Sequence, residues 1–426
     1  MDKKKVKRTF ILAGRLIDGI SDKVEENQAI AIEDGRVSEI SRITSALWEL
    51  EKTSHGEIQI VDARDKTVLP GLINGHCHLC FSASSHPTED VFKDDETILA
   101  FRSQQHCAEA LAVGVTTVRD CGSYGQIVLK LREAVGKGTV RGSRVVSCGR
   151  PVTSTGGHCW FLQGEADGAD SMRHMAREIL KEGADFIKVM VSGGNMTPGS
   201  EPNIRQFCKE ELNIAAEEAH MHGKFLSVHV HSTESIKAAF EAGADIFDHC
   251  SWKRGDGTDY NAALADKMIE KGIFLCPALG APYRMDPAQW FQDRPEKVEF
   301  WKKFREERFF LTRKMIRSGM QVIGGDDAGC RMTKFYDYWK GLKLMVETLD
   351  MSPMEVIRST TSVTAKAMGM EKRIGSVLPG MEADLLAVDG KPDEDLSCLA
   401  VPDMVYQRGK LVAREGCLIP NAEEGE

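Results

Sequence analysis

Hydrophobic and polar positions follow two different patterns along the chain. At both ends, short runs rich in β-branched residues alternate with Gly or Asp turns, as in TFILAGRLIDG and PDMVYQRGKLVAREG. This pattern is typical of β-strands joined by tight turns. We therefore predict one small β-sandwich domain formed by both chain termini, residues 1–69 and 375–426. The tail, NAEEGE, is expected to be disordered.

Between these ends, residues 70–374 alternate short apolar runs with helical stretches. Several of the helices end in Gly just before the next run, as loops from helix to strand prefer. Eight β/α units in about 305 residues predict an α/β fold of the (β/α)8 TIM-barrel type, with active-site groups at the C-terminal ends of its strands. The runs are VLPGLING, GVTTVRDCG, RVVSCG, DFIKVMVSGG, KFLSVHVH, DIFDHC, GIFLCPAL and QVIGGDDAG.

Ionisable side chains stand at or near the C-terminal end of most of these runs. Buried strands of a parallel barrel should be almost wholly apolar, and an unpaired buried charge costs several kcal/mol. Five strands with such residues at the same end predict one shared site. The residues on these five strands are His76, His78, Lys188, His229, His231, His249, Asp326 and Asp327, and His158 lies in TSTGGH after the third run.

Two of these histidines have the spacing of a metal-binding pair. His76 and His78 lie two residues apart on a predicted strand, so both project to one face and can reach one metal ion. His220 and His222 have the same spacing on a predicted helix, where they point apart, and we expect solvated surface there.

Lys188 is the least expected residue in these runs. An ammonium group has no lone pair to offer a metal. A neutral buried amine can take up carbon dioxide as a carbamate, an anionic ligand whose two oxygens can bridge two cations. The alternative for Lys188 is a structural ion pair with a neighbouring carboxylate.

Composition narrows the class of protein. The 426 residues are 42% apolar and 28% charged, which is ordinary for globular domains. A formal charge of −9 argues against nucleic acid or an anionic membrane surface as partner. No stretch approaches the roughly 18 apolar residues of a membrane span. Twelve scattered cysteines, and an apolar run too short for a signal peptide, predict a cytoplasmic protein with reduced thiols.

The combined motifs resemble the metal-dependent amidohydrolase superfamily. They are LPGLINGHCHL, IKV, SVHVH, FDHC, GGDDAG and ADLLAVDG, over about residues 6–412. More narrowly, TSTGGH and the VHVH pair resemble the branch that holds Xaa-Pro dipeptidases, related carboxypeptidases and a fungal mycotoxin amidase. That branch is also described as imidazolonepropionase-like.

The resemblance implies two divalent metal ions, usually zinc. The implied ligands are His76 and His78 for the more buried ion, His229 and His249 for the more exposed one, carboxylated Lys188 as the bridge, and Asp326 to complete the first site. The family's eighth-strand motif is usually Gly-Thr-Asp, and here it reads Gly324-Gly325-Asp326 with a second acid, Asp327. We expect Asp326 to face the metals and Asp327 to support the following loop.

The implied reaction is hydrolysis of an amide or peptide C–N bond by a hydroxide held between two metals. Asp326 would move the proton to the leaving amine, and His158 would stabilise the oxyanion unless it is a structural histidine. His158, His231, Arg331 and Tyr336 are the expected substrate-binding residues. The expected substrate is a dipeptide or N-acyl amino acid with a free carboxylate. The aromatic loops suit such a substrate, and they suit a subunit interface equally. We also expect a homo-oligomer.

Two other functions stay open at this point. A deaminase or cyclic-amide hydrolase on the same barrel uses one metal and a glutamate shortly after the fifth-strand histidine, and Glu234 has that spacing from His231. Lys188 has no role in such a site. A catalytically inactive metal-binding protein is the other alternative, but it would normally have lost a ligand.

Overall fold

The structure is a computed structural model that describes residues 8–54 and 56–420. The first seven residues and the predicted disordered tail, residues 421–426, lie outside the described part. The chain divides into two units. One contains the described residues up to Ile73, Ala108–Thr117 and the described residues from Ser352 onward, and the other contains Asn74–Cys107 and Val118–Met351.

The strands alternate with helices through most of the chain. In chain order the strands are β1 (Arg8–Ile17), β2 (Val24–Glu33), β3 (Arg36–Arg42), β4 (Ile58–Pro70), β5 (Leu72–Cys77), β6 (Val115–Asp120), β7 (Arg144–Ser147), β8 (Ile187–Met190), β9 (Leu226–Ser232), β10 (Ile246–Arg254), β11 (Gly257–Thr258), β12 (Phe274–Cys276), β13 (Gln321–Val322), β14 (Leu385–Val388), β15 (Met404–Gln407), β16 (Lys410–Arg414) and β17 (Cys417–Leu418).

The helices fall mainly between the strands of the middle segment. In chain order they are α1 (Ala46–Thr53), α2 (Pro87–Lys93), α3 (Glu96–Ala112), α4 (Ile127–Gly136), α5 (Gly168–Lys181), α6 (Lys209–Met221), α7 (Thr233–Ala242), α8 (Ala262–Glu270), α9 (Ala281–Arg284), α10 (Pro287–Trp290), α11 (Val298–Arg317), α12 (Tyr338–Leu349), α13 (Pro353–Ser359) and α14 (Ser362–Ala367). Short 3₁₀ turns lie at Trp160–Leu162, Pro295–Lys297, Phe335–Asp337 and Leu396–Leu399.

The first unit contains one eight-stranded sheet in the order β17-β16-β15-β14-β4-β1-β2-β3. Strands from both ends of the chain therefore share one sheet. Successive residues of β1 point to opposite faces, as strand geometry requires. Ile11 packs in one apolar cluster. Phe10 and Leu12 pack in a second cluster, which includes Leu47 and Trp48 in the first turn of α1.

The second unit is built around parallel strands. β8, β9, β10, β12 and β13 pair in parallel with their neighbours, and β5, β6 and β7 form a three-stranded sheet. Two isolated parallel bridges extend these sheets: Val152 pairs with Val189, and Cys77 pairs with Ala328. The middle segment is thus an α/β structure with multistranded sheets.

Local sequence explains where the helices of this unit begin and end. Ser232 starts α7 by accepting a hydrogen bond from the backbone N–H of Ser235. Gly243 ends the same helix at a φ of +95°, a backbone conformation that residues with side chains rarely adopt.

No helix among the described residues is long and apolar enough to cross a membrane.

Candidate metal centre and active-site cavity

Five buried histidines converge at the ends of three strands. They are His76 and His78 at the end of β5, His229 and His231 on β9, and His249 on β10. The ring centres of His76 and His249 are 5.2 Å apart, and those of His229 and His249 are 4.6 Å apart. Their ring atoms, together with nearby acids, form candidate metal-binding groups within a few ångströms of one another.

The chemistry of these donors suits metal ions. Nitrogen donors of His229, His231 and His249 lie within 4.8 Å of one another, and a second group contains His76, His249 and Asp327. Burial lowers the pKa of His229, His231 and His249 well below the ordinary value, so their imidazoles are neutral. Neutral imidazole is the form that binds a metal. The residues present therefore fit divalent ions.

The segment that follows β13 presents Asp327, not Asp326, to the histidines. Oδ1 of Asp327 lies 3.0 Å from Nε2 of His76 and 3.6 Å from Nε2 of His78, and its Oδ2 lies 3.9 Å from Nδ1 of His249. Burial alone would raise the pKa of Asp327, but the charge of His76 and hydrogen bonds with His76 and His78 hold it well below the usual range. Asp327 is therefore a carboxylate anion among side chains that could bind a metal ion.

Asp326 points elsewhere, which corrects the expected register. Its Oδ1 accepts hydrogen bonds from Nδ2 of Asn74 at 2.9 Å and from the backbone N–H of Ala328 at 3.2 Å. It is fully buried, and this burial raises its pKa to about 6. The structure does not bring Asp326 into the cluster of His76, His78 and His249.

The backbone at Gly325, just before the two acids, passes close to its neighbours. A Cβ on Gly325 would lie 2.6 Å from Sγ of Cys276 and 2.8 Å from Cβ of His76, so the backbone passes too close for a side chain. The family's Gly-Thr-Asp pattern then corresponds to Gly325-Asp326-Asp327, with Asp326 at the threonine position. Asp327 also adopts a φ of +60°, which regular strand alternation did not anticipate.

Lys188 is fully buried on β8 and contacts the carboxylate of Asp248. The hydroxyl of Ser227 donates a hydrogen bond to Oδ2 of Asp248 at 2.7 Å, and Oδ1 of Asp248 lies 3.0 Å from Nδ1 of His76. This is the ion-pair alternative for Lys188. The sequence analysis did not identify Asp248. Its position inside the run DIFDHC, directly before His249, could have indicated a buried acid near the site.

His158 lies beside the histidine cluster on the loop after β7. Its ring centre is 4.6 Å from that of His229, and its Nδ1 shares a hydrogen bond with Oγ1 of Thr197 at 3.0 Å. A Cβ on Gly194 would come within 2.4 Å of the His158 ring, so glycine leaves the room that the ring occupies. Burial lowers the pKa of His158 to about 3, and the ring is therefore neutral.

The other predicted substrate-binding residues separate into two groups. Nδ1 of His231 shares a hydrogen bond with Oγ of Ser251 at 2.8 Å, and His231 lines the cavity. Arg331 lines it too, with its guanidinium 4.4 Å from the ring centre of Trp290. Tyr336 is 47% exposed and is not among the residues that line the cavity, so the structure does not place it at the site.

The cavity above the histidines has a volume of about 720 Å³, which suits a small molecule. Its walls combine aromatic rings with several basic side chains. The aromatic residues are Phe81, Tyr283, Trp290, Phe291, Phe300, Trp301 and Phe304, and the basic ones are Lys188, Lys253, Arg294, Lys297 and Arg331. Exposed acids also line it, namely Glu201, Asp256 and Glu296.

The helical pair with the HxH spacing, His220 and His222, lies apart from the histidine cluster. His220 lies on α6 and His222 follows its last residue, away from the cavity lining. Nε2 of His220 is 2.9 Å from Oδ2 of Asp245, and its side chain is 44% exposed. Glu234, which mimics the deaminase spacing, is exposed in the first turn of α7 and does not line the cavity.

Comparison with known proteins shows the family to which this chain belongs. The profile of the Amidohydrolase family matches residues 67–412, so the chain belongs to this family. This confirms the resemblance read from the motifs. The protein is accordingly an enzyme, a hydrolase of the amidohydrolase superfamily.

Individual relatives have different activities. Ochratoxinase from Aspergillus niger is 27% identical over 96% of this chain and 88% of its own length. A crystal structure of a Xaa-Pro dipeptidase with methionine bound in its active site matches at a TM-score of 0.84 and 31% identity, over 95% of this chain and 99% of the other. A 5'-deoxyadenosine deaminase from Methanosarcina barkeri is 24% identical over 89% of this chain and 84% of its own length.

Proposed function

We propose that this protein is a binuclear metal-dependent hydrolase that cleaves the amide or peptide C–N bond of a small substrate. The substrate we propose is an N-acyl amino acid or a dipeptide with a free carboxylate. The observation that carries the proposal is the position of Asp327, whose carboxylate lies against His76, His78 and His249 beneath a cavity of substrate size.

The proposed architecture is a closed (β/α)8 barrel, residues 70–374, with a β-sandwich from residues 1–69 and 375–426. The bridges Val152–Val189 and Cys77–Ala328 support closure, because they link the three-stranded sheet to both ends of the parallel sheet. In such a barrel the C-terminal ends of the strands carry the active site. The positions of His76, His229 and His249 agree with this rule.

In this proposal His76, His78 and Asp327 hold one divalent ion, and His229 and His249 hold the other. Zinc suits a set rich in neutral imidazole. A carboxylated Lys188 would bridge the ions, and its amine must first lose the proton that the contact with Asp248 favours. Cation binding beside Lys188 supplies a reason for that loss, since like charges repel.

Bound divalent ions would lower the pKa of a water molecule toward neutrality and polarise the scissile carbonyl. Asp327 would accept the water's proton and return it to the leaving amine, because its low pKa keeps it ionised near His76. His158 would donate a hydrogen bond to the carbonyl oxygen as negative charge develops there. The hydrogen bond with Thr197 orients its ring for this role.

The cavity walls support the proposed substrate class. Aromatic rings such as Trp290 and Trp301 suit an apolar or aromatic portion, and His231 and Arg331 would meet polar groups of the substrate. The relatives include an ochratoxinase and a Xaa-Pro dipeptidase, and the name of the second agrees with cleavage of a dipeptide. A small-molecule substrate also agrees with the acidic net charge.

A single-metal deaminase is the second candidate, favoured by the similarity to 5'-deoxyadenosine deaminase. The exposed position of Glu234 and the buried Lys188 beside the histidines weigh against it.

The deciding experiment is a hydrolysis assay of the zinc-loaded enzyme on a panel of N-acyl amino acids and dipeptides, run beside adenosine-type deaminase substrates. We expect release of free amino acid from the first group. Ammonia release from the second group alone would replace our proposal with the deaminase.

A further inference from the structure

Lys253 differs from the other basic residues of the cavity because it follows a bulge in β10. It lies on β10, four residues after His249. In the pairing with β9, His249 faces Val230 but Lys253 faces Ser232, so β10 carries two extra residues over this stretch. The extra residues include Cys250 and Trp252, both with left-handed φ. Lys253 and His249 both line the cavity.

The ammonium of Lys253 packs on aromatic rings. Its Nζ lies 5.3 Å from the ring centre of Phe300 and 5.1 Å from that of Phe304, and all three residues line the cavity. A cation over an aromatic face is attracted by the ring, and the rings in turn hold the lysine stem in one direction. Lys253 is therefore held against the wall of the cavity.

Within the described chain, no carboxylate forms an ion pair with Lys253. Asp256 and Glu201, both exposed, favour its charge only at longer range, and Lys297 opposes it. Burial lowers the pKa of Lys253. A half-buried ammonium without an anion gains free energy when an anion reaches it, because lost hydration is replaced by a charge-assisted hydrogen bond.

We propose that Lys253 is a specificity-determining residue, whose ammonium binds the free carboxylate of the substrate while Phe300 and Phe304 contact the apolar side chain next to that carboxylate. The inference rests on the proposed hydrolase function and adds the residue that selects acids over neutral amides. The class of substrate it favours is an N-acyl amino acid with an apolar or aromatic side chain.

The kinetic test uses two substrates that differ only in charge, N-benzoyl-L-phenylalanine and its carboxamide. Lys253→Met keeps a long apolar stem and removes the charge. On the acid, we expect kcat/KM to fall about 10- to 100-fold, mainly through KM, as loss of one hydrogen bond to a charged group predicts. On the carboxamide, the change should stay within about twofold.

Two further variants control for structural effects. Lys253→Arg retains the cation and should recover most of the preference for the acid. Arg254→Met removes a cation from the next position of the same strand, where Arg254 is 78% exposed and pairs with Asp259 at 3.0 Å. It should leave both substrates unaffected. Equal losses of Lys253→Met on acid and carboxamide would mean a structural role and would overturn the inference.

A binding experiment separates this inference from the proposed reaction. N-Benzyl-L-phenylalanine and its carboxamide lack the scissile carbonyl, so their dissociation constants for the zinc-loaded protein can be measured by calorimetry without turnover. We expect the wild type to bind the acid more tightly, and Lys253→Met to lose that difference. If the wild type hydrolyses no N-acyl amino acid yet shows this binding pattern, the proposed function fails and the role of Lys253 stands. Equal binding of acid and carboxamide by the wild type refutes the role of Lys253.

Discussion

Asp327 is joined to His76 twice. Its backbone N–H donates a hydrogen bond to the carbonyl oxygen of His76 at 3.0 Å, and its Oδ1 lies 3.0 Å from Nε2 of the same residue. The backbone contact positions the segment after β13 against the end of β5. The side-chain contact then places a carboxylate where His78 and His249 also reach it.

Removal of metal should abolish turnover. Dialysis against a chelator is expected to give an inactive protein, and zinc or another divalent ion should restore activity, because the proposed reaction needs a metal-activated water molecule. Metal analysis should find about two ions per chain in the active form. Full activity in protein verified to be metal-free would contradict the mechanism, and one ion per chain would favour the deaminase alternative.

Asp327→Asn should lower kcat by about 10²- to 10⁴-fold, the scale of general acid–base catalysis, since the proton acceptor is lost while size is kept. The matched variant is Asp326→Asn on the neighbouring residue. It should change kcat far less, because Asp326 contacts Asn74 rather than the histidines. Steady-state kinetics with metal-reconstituted proteins decides between them, and the reverse ranking would restore Asp326 to the site.

Lys188→Ala should lose the second metal and nearly all turnover, with partial rescue by small carboxylic acids that replace the carbamate. Lys181→Ala, at an exposed position of α5, is the control and should retain both metals. Metal analysis and rescue kinetics provide the measurements. Density for a bare amine at Lys188 in a metal-loaded crystal at neutral pH would show that the ion pair with Asp248 persists and that no carbamate forms.

Gly325→Ala should destabilise the fold by about 1–3 kcal/mol, the usual cost of forcing extra volume into a packed core. The new methyl group would meet Sγ of Cys276 and the backbone of His76 at under 3 Å. Gly136→Ala, at the last residue of α4 with nothing within 4 Å, should be neutral or stabilising by up to about 1 kcal/mol. Urea unfolding of both variants measures the difference, and comparable midpoints would contradict the close approach at Gly325.

Part of the candidate site could be predicted from the sequence alone, because strand geometry is local. Residues two apart on a strand share a face, so the spacing of His76 and His78 by itself indicates a metal-type pair, whereas the same spacing of His220 and His222 on a helix does not. The motif set around them was specific enough to predict the amidohydrolase family, which the family profile confirms. The order of apolar runs and helices likewise predicted the α/β segment, since hydrophobic periodicity reports secondary structure directly.

Tertiary structure decided what depends on contacts between distant segments. Asp326 and Asp327 are adjacent, and only their contacts with distant residues, Asn74 for Asp326 and His76 for Asp327, show which of them faces the cluster. Lys188 and Asp248 lie on different strands, so their ion pair follows from strand order and register rather than from either motif. Lys253 reaches the cavity only because β10 carries extra residues relative to β9, and this bulge depends on pairing that local sequence does not specify.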